Sequence, residues 1–442
     1  MTNQWKAAAL AAAIALLAVG CAGKTGQAAA ESALPTAAAT QAPTQAPTPS
    51  PAPSGNPLTG HAGDIDYANQ RPVAVQLRTL DGAAPLWGVS RADVLIEGVT
   101  EGKTASLMAL FARADDISKA GPVGGGRDLM LQFALPLNAL AVHIDKNQYA
   151  KNLLNVLSYQ DIDGYNVGKA GFGFDADRAA SGYREENCFY TTAELVKAGA
   201  ADAATAETGA TVPLFRFGER PAPTAQNGTE LYVTFSDEDT EALLYSADTG
   251  LYQKNNADGS PMMDADAGAQ AAFTNVFVLY ASSGVKDDGY TRQYDLAGGT
   301  GLYLTGGGWQ EIRWQKGDAA APLALSNPDG TGLTVSPGKS FIAVYGGYYG
   351  QSLRLLGADG AEQTLPAKPA LLASGIPDEV AASAEENYKA QQEAVAASEA
   401  ALAAEQEAAA SSDAAAVAAS DAATEPADAA PPADSAASSA AP

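Results

Sequence analysis

Turn signals crowd the stretch from Leu231 to Tyr345, and they constrain this chain more than any other feature. Asp248-Thr249-Gly250, Ala257-Asp258-Gly259, Ser282-Ser283-Gly284, Gly306-Gly307-Gly308 and Pro328-Asp329-Gly330 separate short runs rich in Tyr, Val, Phe and Leu. The runs Leu231 to Phe235, Ala242 to Tyr245, Asn275 to Tyr280, Leu302 to Leu304, Glu311 to Gln315 and Phe341 to Tyr345 read as strands. Closely spaced turns between β-rich runs predict a mostly antiparallel β domain, a sandwich or barrel, over residues 213–365.

Upstream the pattern mixes. Pro72 to Leu77, Asp93 to Val99 and Ser106 to Phe111 read as strands. A glycine turn follows, Gly121-Pro122-Val123-Gly124-Gly125-Gly126-Arg127. Asp128 to Leu135 then reads as a short helix closed by Pro136, and Ala139 to Ile144 as a buried strand. Tyr149, Leu153, Leu154 and Leu157 recur at helical spacing. Phe189 to Thr192 reads as a strand, and Thr192 is placed to cap a further helix. The expectation is an α/β domain over 56–200, joined to the β domain by a small-residue linker at 201–212.

Both flanks lack the apolar bulk for a core. The apolar run from Ala7 to Val19, with Leu16-Leu17-Ala18-Val19-Gly20 before Cys21, fits a secretory signal over residues 1–21. Small residues directly before a cysteine resemble a lipobox, so Cys21 is expected to carry lipid and tether the chain to the outer face of a membrane. Residues 22–55 repeat Ala, Pro, Thr and Gln and are expected to be a disordered tether. Residues 366–442 read as an acidic Ala/Glu/Ser tail, helical and then disordered. From Asp378 onward thirteen acids face Lys389 alone, so −12 of the chain's formal −25 is tail charge. Such an acidic chain lacks the clustered Lys and Arg that nucleic-acid binding needs.

The chain has two cysteines and two histidines. With Cys21 lipidated, Cys188 has no disulfide partner, and its aromatic neighbours suggest packing rather than reactivity. No ordinary zinc site can be assembled from this set, and no cofactor or metal is expected. Gly124-Gly125-Gly126 lacks the Lys-Ser/Thr of a phosphate loop, and no Gly-x-Ser-x-Gly elbow occurs. Asp264-Ala265-Asp266-Ala267-Gly268 lacks the remaining ligands of a calcium loop and reads as a turn. Trp309 and Trp314 suit the β core better than an exposed sugar-stacking surface.

The candidate ligand site gathers at the glycine turn: Gly124, Gly125, Gly126, Arg127, His143, Glu97 and Glu101. Backbone N–H groups at a helix start favour negative charge, and Arg127 adds a directed fork. If the turn brings backbone close to a ligand, at least one of the three glycines should have positive φ. Glu97 and Glu101, read on one face of a strand, could act as an acid/base pair. The structural alternative has Arg127 paired with Glu97 or Glu101 and His143 satisfied by backbone.

In order along the chain, Asn56-Pro57-Leu58-Thr59-Gly60, Arg71-Pro72-Val73-Ala74-Val75, Ala92-Asp93-Val94, Glu101-Gly102, Ala109-Leu110-Phe111, Gly121-Pro122-Val123 with Arg127, and Tyr190-Thr191 resemble the N-terminal domain of the YerB-like lipoproteins, DUF3048. Gly250-Leu251-Tyr252, Gly259, Asp264, Asn275-Val276, Gly308-Trp309 and Pro337-Gly338 resemble its C-terminal domain. The resemblance spans roughly Asn56 to Val344 and implies a two-domain envelope lipoprotein without an established activity. Against that pattern, Gly124-Gly125-Gly126-Arg127 stands where the family has Arg-Ser-Ala-Arg, Arg78 where it has Asp, and Glu186-Asn187-Cys188 where it has Pro-His-Asn. Thr104-Ala105-Ser106 replaces Ile-Thr-Arg, and only the histidine of His-Ala-Gly-Gly-Ser persists at His143. A site reduced to Arg127 and His143 implies a different ligand or a non-catalytic paralogue. The leading expectation is a tethered binding or scaffolding module for envelope material or an envelope protein. The alternative is an envelope hydrolase or transferase using Glu97 or Glu101 with His143 and Arg127.

Overall fold

The computed structural model describes residues 55–372, apart from 63, 64, 66, 81, 220–222, 224, 225 and 349, together with Ala390 and Ala397. Cys21 and nearly all of the tether and of the acidic tail lie outside the described residues. Among the described residues no helix is long and apolar enough to cross a membrane.

The N-terminal half is α/β. Its strands are β1 (Val73–Leu77), β2 (Val94–Glu101), β3 (Thr104–Phe111), β4 (Leu140–His143), β5 (Ile162–Asp163), β6 (Gly173–Phe174) and β7 (Phe189–Tyr190). Its helices are α1 (Asp128–Ala134), α2 (Gln148–Leu157), α3 (Gly164–Val167), α4 (Ala176–Ala180) and α5 (Ala193–Asp202). The C-terminal half is mostly antiparallel β. It runs β8 (Glu230–Ser236), β9 (Asp239–Ser246), β10 (Leu251–Asn255), β11 (Ala272–Phe273), β12 (Asn275–Tyr280), β13 (Ser283–Val285), β14 (Arg292–Tyr294), β15 (Gly298–Thr305), β16 (Gly308–Gln315), β17 (Ala324–Ser326), β18 (Ser340–Tyr345) and β19 (Ser352–Leu356).

One ten-stranded sheet runs through both halves in the order β17-β16-β15-β12-β18-β2-β3-β1-β4-β5. The join is β18, parallel to β12 on one side and to β2 on the other, with Ser340 against Val94 and Val344 against Gly98. A five-stranded antiparallel sheet, β11-β10-β9-β8-β19, lies over one face. The alternation of β2 explains why both faces are apolar. Leu95 and Val99 join the core with Leu231, Val233 and Phe235 of β8, while Val94 and Ile96 join Leu129, Met130 and Phe133 of α1.

The local signals are obeyed where they are strong. Asn147 caps α2, its Oδ1 accepting from Ala150 N at 2.8 Å, and Thr192 Oγ1 accepts from Leu195 N at 3.4 Å to cap α5. Helix α1 carries Asp128 in its first turn and gives way to a 3₁₀ turn containing Pro136. Trp309 and Trp314 are buried. Cys188 is fully buried, and burial pushes its thiol up, consistent with a packing role. The Asp264 turn is a clasp: its carboxylate accepts from Gly88 N, Ser90 N, Ser90 Oγ, Asp266 N and Ala267 N, tying a loop of the C-terminal half to the segment before β2.

Candidate functional site

Strands β1, β4 and β5 are parallel, and β4-α2-β5 is a βαβ unit. Open α/β sheets place ligands beyond the carboxyl ends of such strands. The candidate residues collect there. Gly124, Gly125 and Gly126 run between the end of β1 and the end of β4. Gly124 N donates to Gln76 O at 2.8 Å, Ile144 N donates to Gly124 O at 2.9 Å, and Gly126 N donates to Asp145 O at 2.8 Å.

This geometry corrects the expectation of positive φ. None of the three glycines has it; in this turn only Gly121 does, at 150°. The glycines instead make room at the side. A Cβ on Gly124 would lie 3.1 Å from the carbonyl of Leu77, and one on Gly126 would lie 3.0–3.2 Å from the His143 ring. With the N–H groups of Gly124 and Gly126 bonded to protein carbonyls, neither is offered to a ligand.

Arg127 forms a two-pronged ion pair with Glu101. Its Nε lies 2.7 Å from Oε1, and Nη2 donates to Oε2 at 3.0 Å. Asn147 Nδ2 also reaches Glu101 Oε1, at 3.4 Å. Glu97 goes elsewhere. The β2 register shifts between Val99 and Glu101, so the two glutamates do not form the pair that even spacing suggests. Glu97 is buried with Lys254 Nζ 3.1 Å away, and Lys254, which has no exposed surface, is also paired with Glu241. Burial pushes Lys254 down, opposed by Glu97 and Asp239. Asp239 is pushed up to about 6, first by burial and then by the charge of Glu97.

His143 is the last residue of β4 and is completely buried. Backbone does not satisfy it. Its Nε2 lies 2.9 Å from Asp161 Oδ2 and its Nδ1 lies 4.0 Å from Asp163 Oδ1, neither aligned as a hydrogen bond. Lys146 Nζ donates to Asp161 Oδ2 at 2.6 Å and to Asp163 Oδ2 at 2.7 Å. Burial alone would raise Asp161, but contacts with His143 and Lys146 bring it down to about 2. Burial likewise opposes the charge of Lys146, yet the two aspartates hold its pKa above the usual lysine value.

The structure therefore brings together Gly124, Gly125, Gly126, Arg127, His143 and Glu101, leaves Glu97 out, and adds Lys146, Asp161 and Asp163. Asp163 ends the two-residue strand β5 and Asp161 directly precedes it, in a segment too short to show periodicity; their alternation around Ile162 was the available signal. Sequence reasoning also missed an open cleft of about 960 Å³, lined by Asn56, Tyr67, Arg91, Asp93, Asp116 and Lys339. Asn56 Nδ2 donates to Asp93 Oδ1 at 3.1 Å, so the Asn56 turn forms one wall. Burial, first among its causes, pushes Asp93 up to about 6.

Residues 58–207 match the N-terminal domain, and residues 231–342 the C-terminal domain, of the protein of unknown function DUF3048. The chain belongs to the DUF3048 family. A relative from Bacillus subtilis (strain 168), named "Putative lipoprotein YerB", is 26% identical over 298 residues, covering 65% of this chain and 85% of its own length. The crystal structure of YerB protein from Bacillus subtilis superposes with a TM-score of 0.59 at 23% identity, covering 67% of this chain and 98% of that one. That likeness establishes the fold. Within this DUF3048 chain, three of the positions that depart from the resemblance meet: Arg78 Nε donates to Asn187 Oδ1 at 2.9 Å, and its Nη2 lies 3.4 Å from Glu186.

Proposed function

We propose that this chain is a lipid-anchored, extracytoplasmic binding or scaffolding module that holds envelope material or an envelope protein without transforming it. One observation carries the non-catalytic reading: the candidate acids and bases are engaged by the fold. Glu101 is held by Arg127, Glu97 lies under Lys254, and His143 is sealed beside Asp161. A general acid or base must reach the proton it moves, and neither buried Glu97 nor buried His143 meets solvent. The open cleft with charges of both signs offers a surface for a polar partner. The anchoring follows from Cys21 behind its apolar run and from kinship with a relative named as a lipoprotein.

The test incubates the full chain with purified cell-wall fractions. Retention on the insoluble fraction without release of soluble fragments is expected. New soluble fragments that disappear in Glu101→Gln would sink this reading and favour the hydrolase or transferase. For the anchor, Cys21→Ser is expected to move the protein out of the detergent phase; continued detergent partitioning would exclude lipidation at this residue.

A further inference from the structure

The group around His143 combines ion pairs with the ligand set of a metal site. A structural histidine in a core normally has its ring nitrogens satisfied, because an unpaired buried polar atom is costly. Here neither nitrogen of a fully buried imidazole makes an aligned hydrogen bond among the described residues, although Nε2 lies 2.9 Å from Asp161 Oδ2. The ring is also wedged, with the bare backbone of Gly126 against one side where a Cβ would lie 3.0 Å away. One ligand atom each from His143, Asp161 and Asp163 falls within 4.8 Å of the others, the spread expected of groups that can share one ion.

The carboxylate of Asp163 is held in place by backbone as well. Asp163 Oδ1 is fixed by the backbone N–H groups of Asp145 and Tyr165 at 3.0 and 3.1 Å, which leaves Oδ2 directed at Lys146. The ammonium of Lys146 therefore marks where the two carboxylates focus positive charge. The lysine side chain and Asp161 are each 13% exposed, whereas His143 is 1% exposed, so Lys146 stands on the solvent side of the imidazole.

We propose that His143, Asp161 and Asp163 form a site for a divalent transition-metal ion of the zinc type, with the Lys146 ammonium as its built-in competitor. An imidazole with two carboxylates suits zinc, and three protein ligands leave a coordination position open toward the displaced lysine. Binding is an exchange of cations: the metal takes the two carboxylates and the imidazole, and the still protonated lysine turns out to solvent. The site makes no demand on Cys188 or on His61, which lie outside the group.

The experiment titrates the full chain with Zn²⁺ by calorimetry and with Co²⁺ by visible absorption, which reports the coordination sphere. Wild type is expected to bind one ion per chain at this site. Lys146→Met should tighten binding at least about tenfold by removing the competitor, and His143→Gln should weaken it at least about tenfold. Because Lys146→Met leaves two carboxylates unpaired, its melting temperature is read with and without Zn²⁺; a rise on adding metal is expected from binding to the folded state. Absence of binding in wild type overturns the proposal, even where Lys146→Met binds, because the lysine would then hold the group shut in the native protein. Binding that ignores both substitutions places the ion elsewhere and equally overturns it. None of these outcomes bears on retention by wall fractions.

Discussion

Asp239 shows how charges gathered around Lys254 contribute to the pH response of this protein. Glu97, Glu241 and Asp239 share the single buried cation Lys254. Asp239 has its folded pKa raised from 3.8 to about 6, so the folded state holds that proton more tightly than the unfolded chain does. Its destabilising effect is therefore absent below about pH 4, grows as pH rises through 6, and is complete above. Asp239→Asn is expected to stabilise by about 1–2 kcal/mol at pH 8 and to be neutral near pH 4; equal effects at the two pH values in chemical denaturation would refute this. Lys254→Met should act oppositely, costing about 3–5 kcal/mol by stranding its two ion-paired carboxylates, Glu97 and Glu241. Gly126 makes a second residue-scale case. With ordinary φ, Gly→Ala would be expected to stabilise by about 0.4–1 kcal/mol. The His143 ring instead meets the new Cβ at 3.0 Å, so overpacking should destabilise by about 1–3 kcal/mol. A melting temperature above wild type would show that the ring yields freely.

At the scale of elements, what could be read from sequence divides by the reach of the signal. Asn275 to Tyr280 was legible as β12 to the residue, because a β-branched and aromatic run bounded by turns is a local property. The caps at Asn147 and Thr192 and the stop at Pro136 are equally local. Strand β10 escaped because its Gln253-Lys254-Asn255 segment is polar, and the reason for Lys254 lies on β2 and β9. The two-residue strand β5 escaped for want of length, and with it went Asp161 and Asp163, half of the His143 surroundings. The Asp264 turn was read as a turn, but its five donors include Gly88 and Ser90, far away in sequence. Asp264→Ala should loosen that clasp and cost about 1.5–3 kcal/mol, as expected for hydrogen bonds to a charged group. Proteolysis near Ser90 would be faster in this variant; unchanged cleavage would mean the loop is held by apolar packing around Leu86 instead.

Over the whole molecule, the β2-β18-β12 join makes the two halves one sheet. Neither periodicity nor composition announces that Val94 pairs with Ser340. Strand β2 is buried along nearly all its length, so removing β18 would bare an apolar strand with unpaired N–H and C=O groups. The full chain is expected to unfold in one transition by calorimetry and by fluorescence, and a fragment of residues 55–212 to aggregate rather than fold. Two separated transitions would contradict this.

The same join sets a schedule. As the chain emerges from its N-terminus, whether from a ribosome or through a membrane, β2 and β3 follow β1 as a hairpin with one side finished by β1 and one side open. The strand that closes the open side appears only after every turn of the β-rich half has passed. Until Tyr345 is available, the early hairpin is an adhesive edge in a crowded place, and the long interval before β18 gives a chaperone both the time and the surface to hold it.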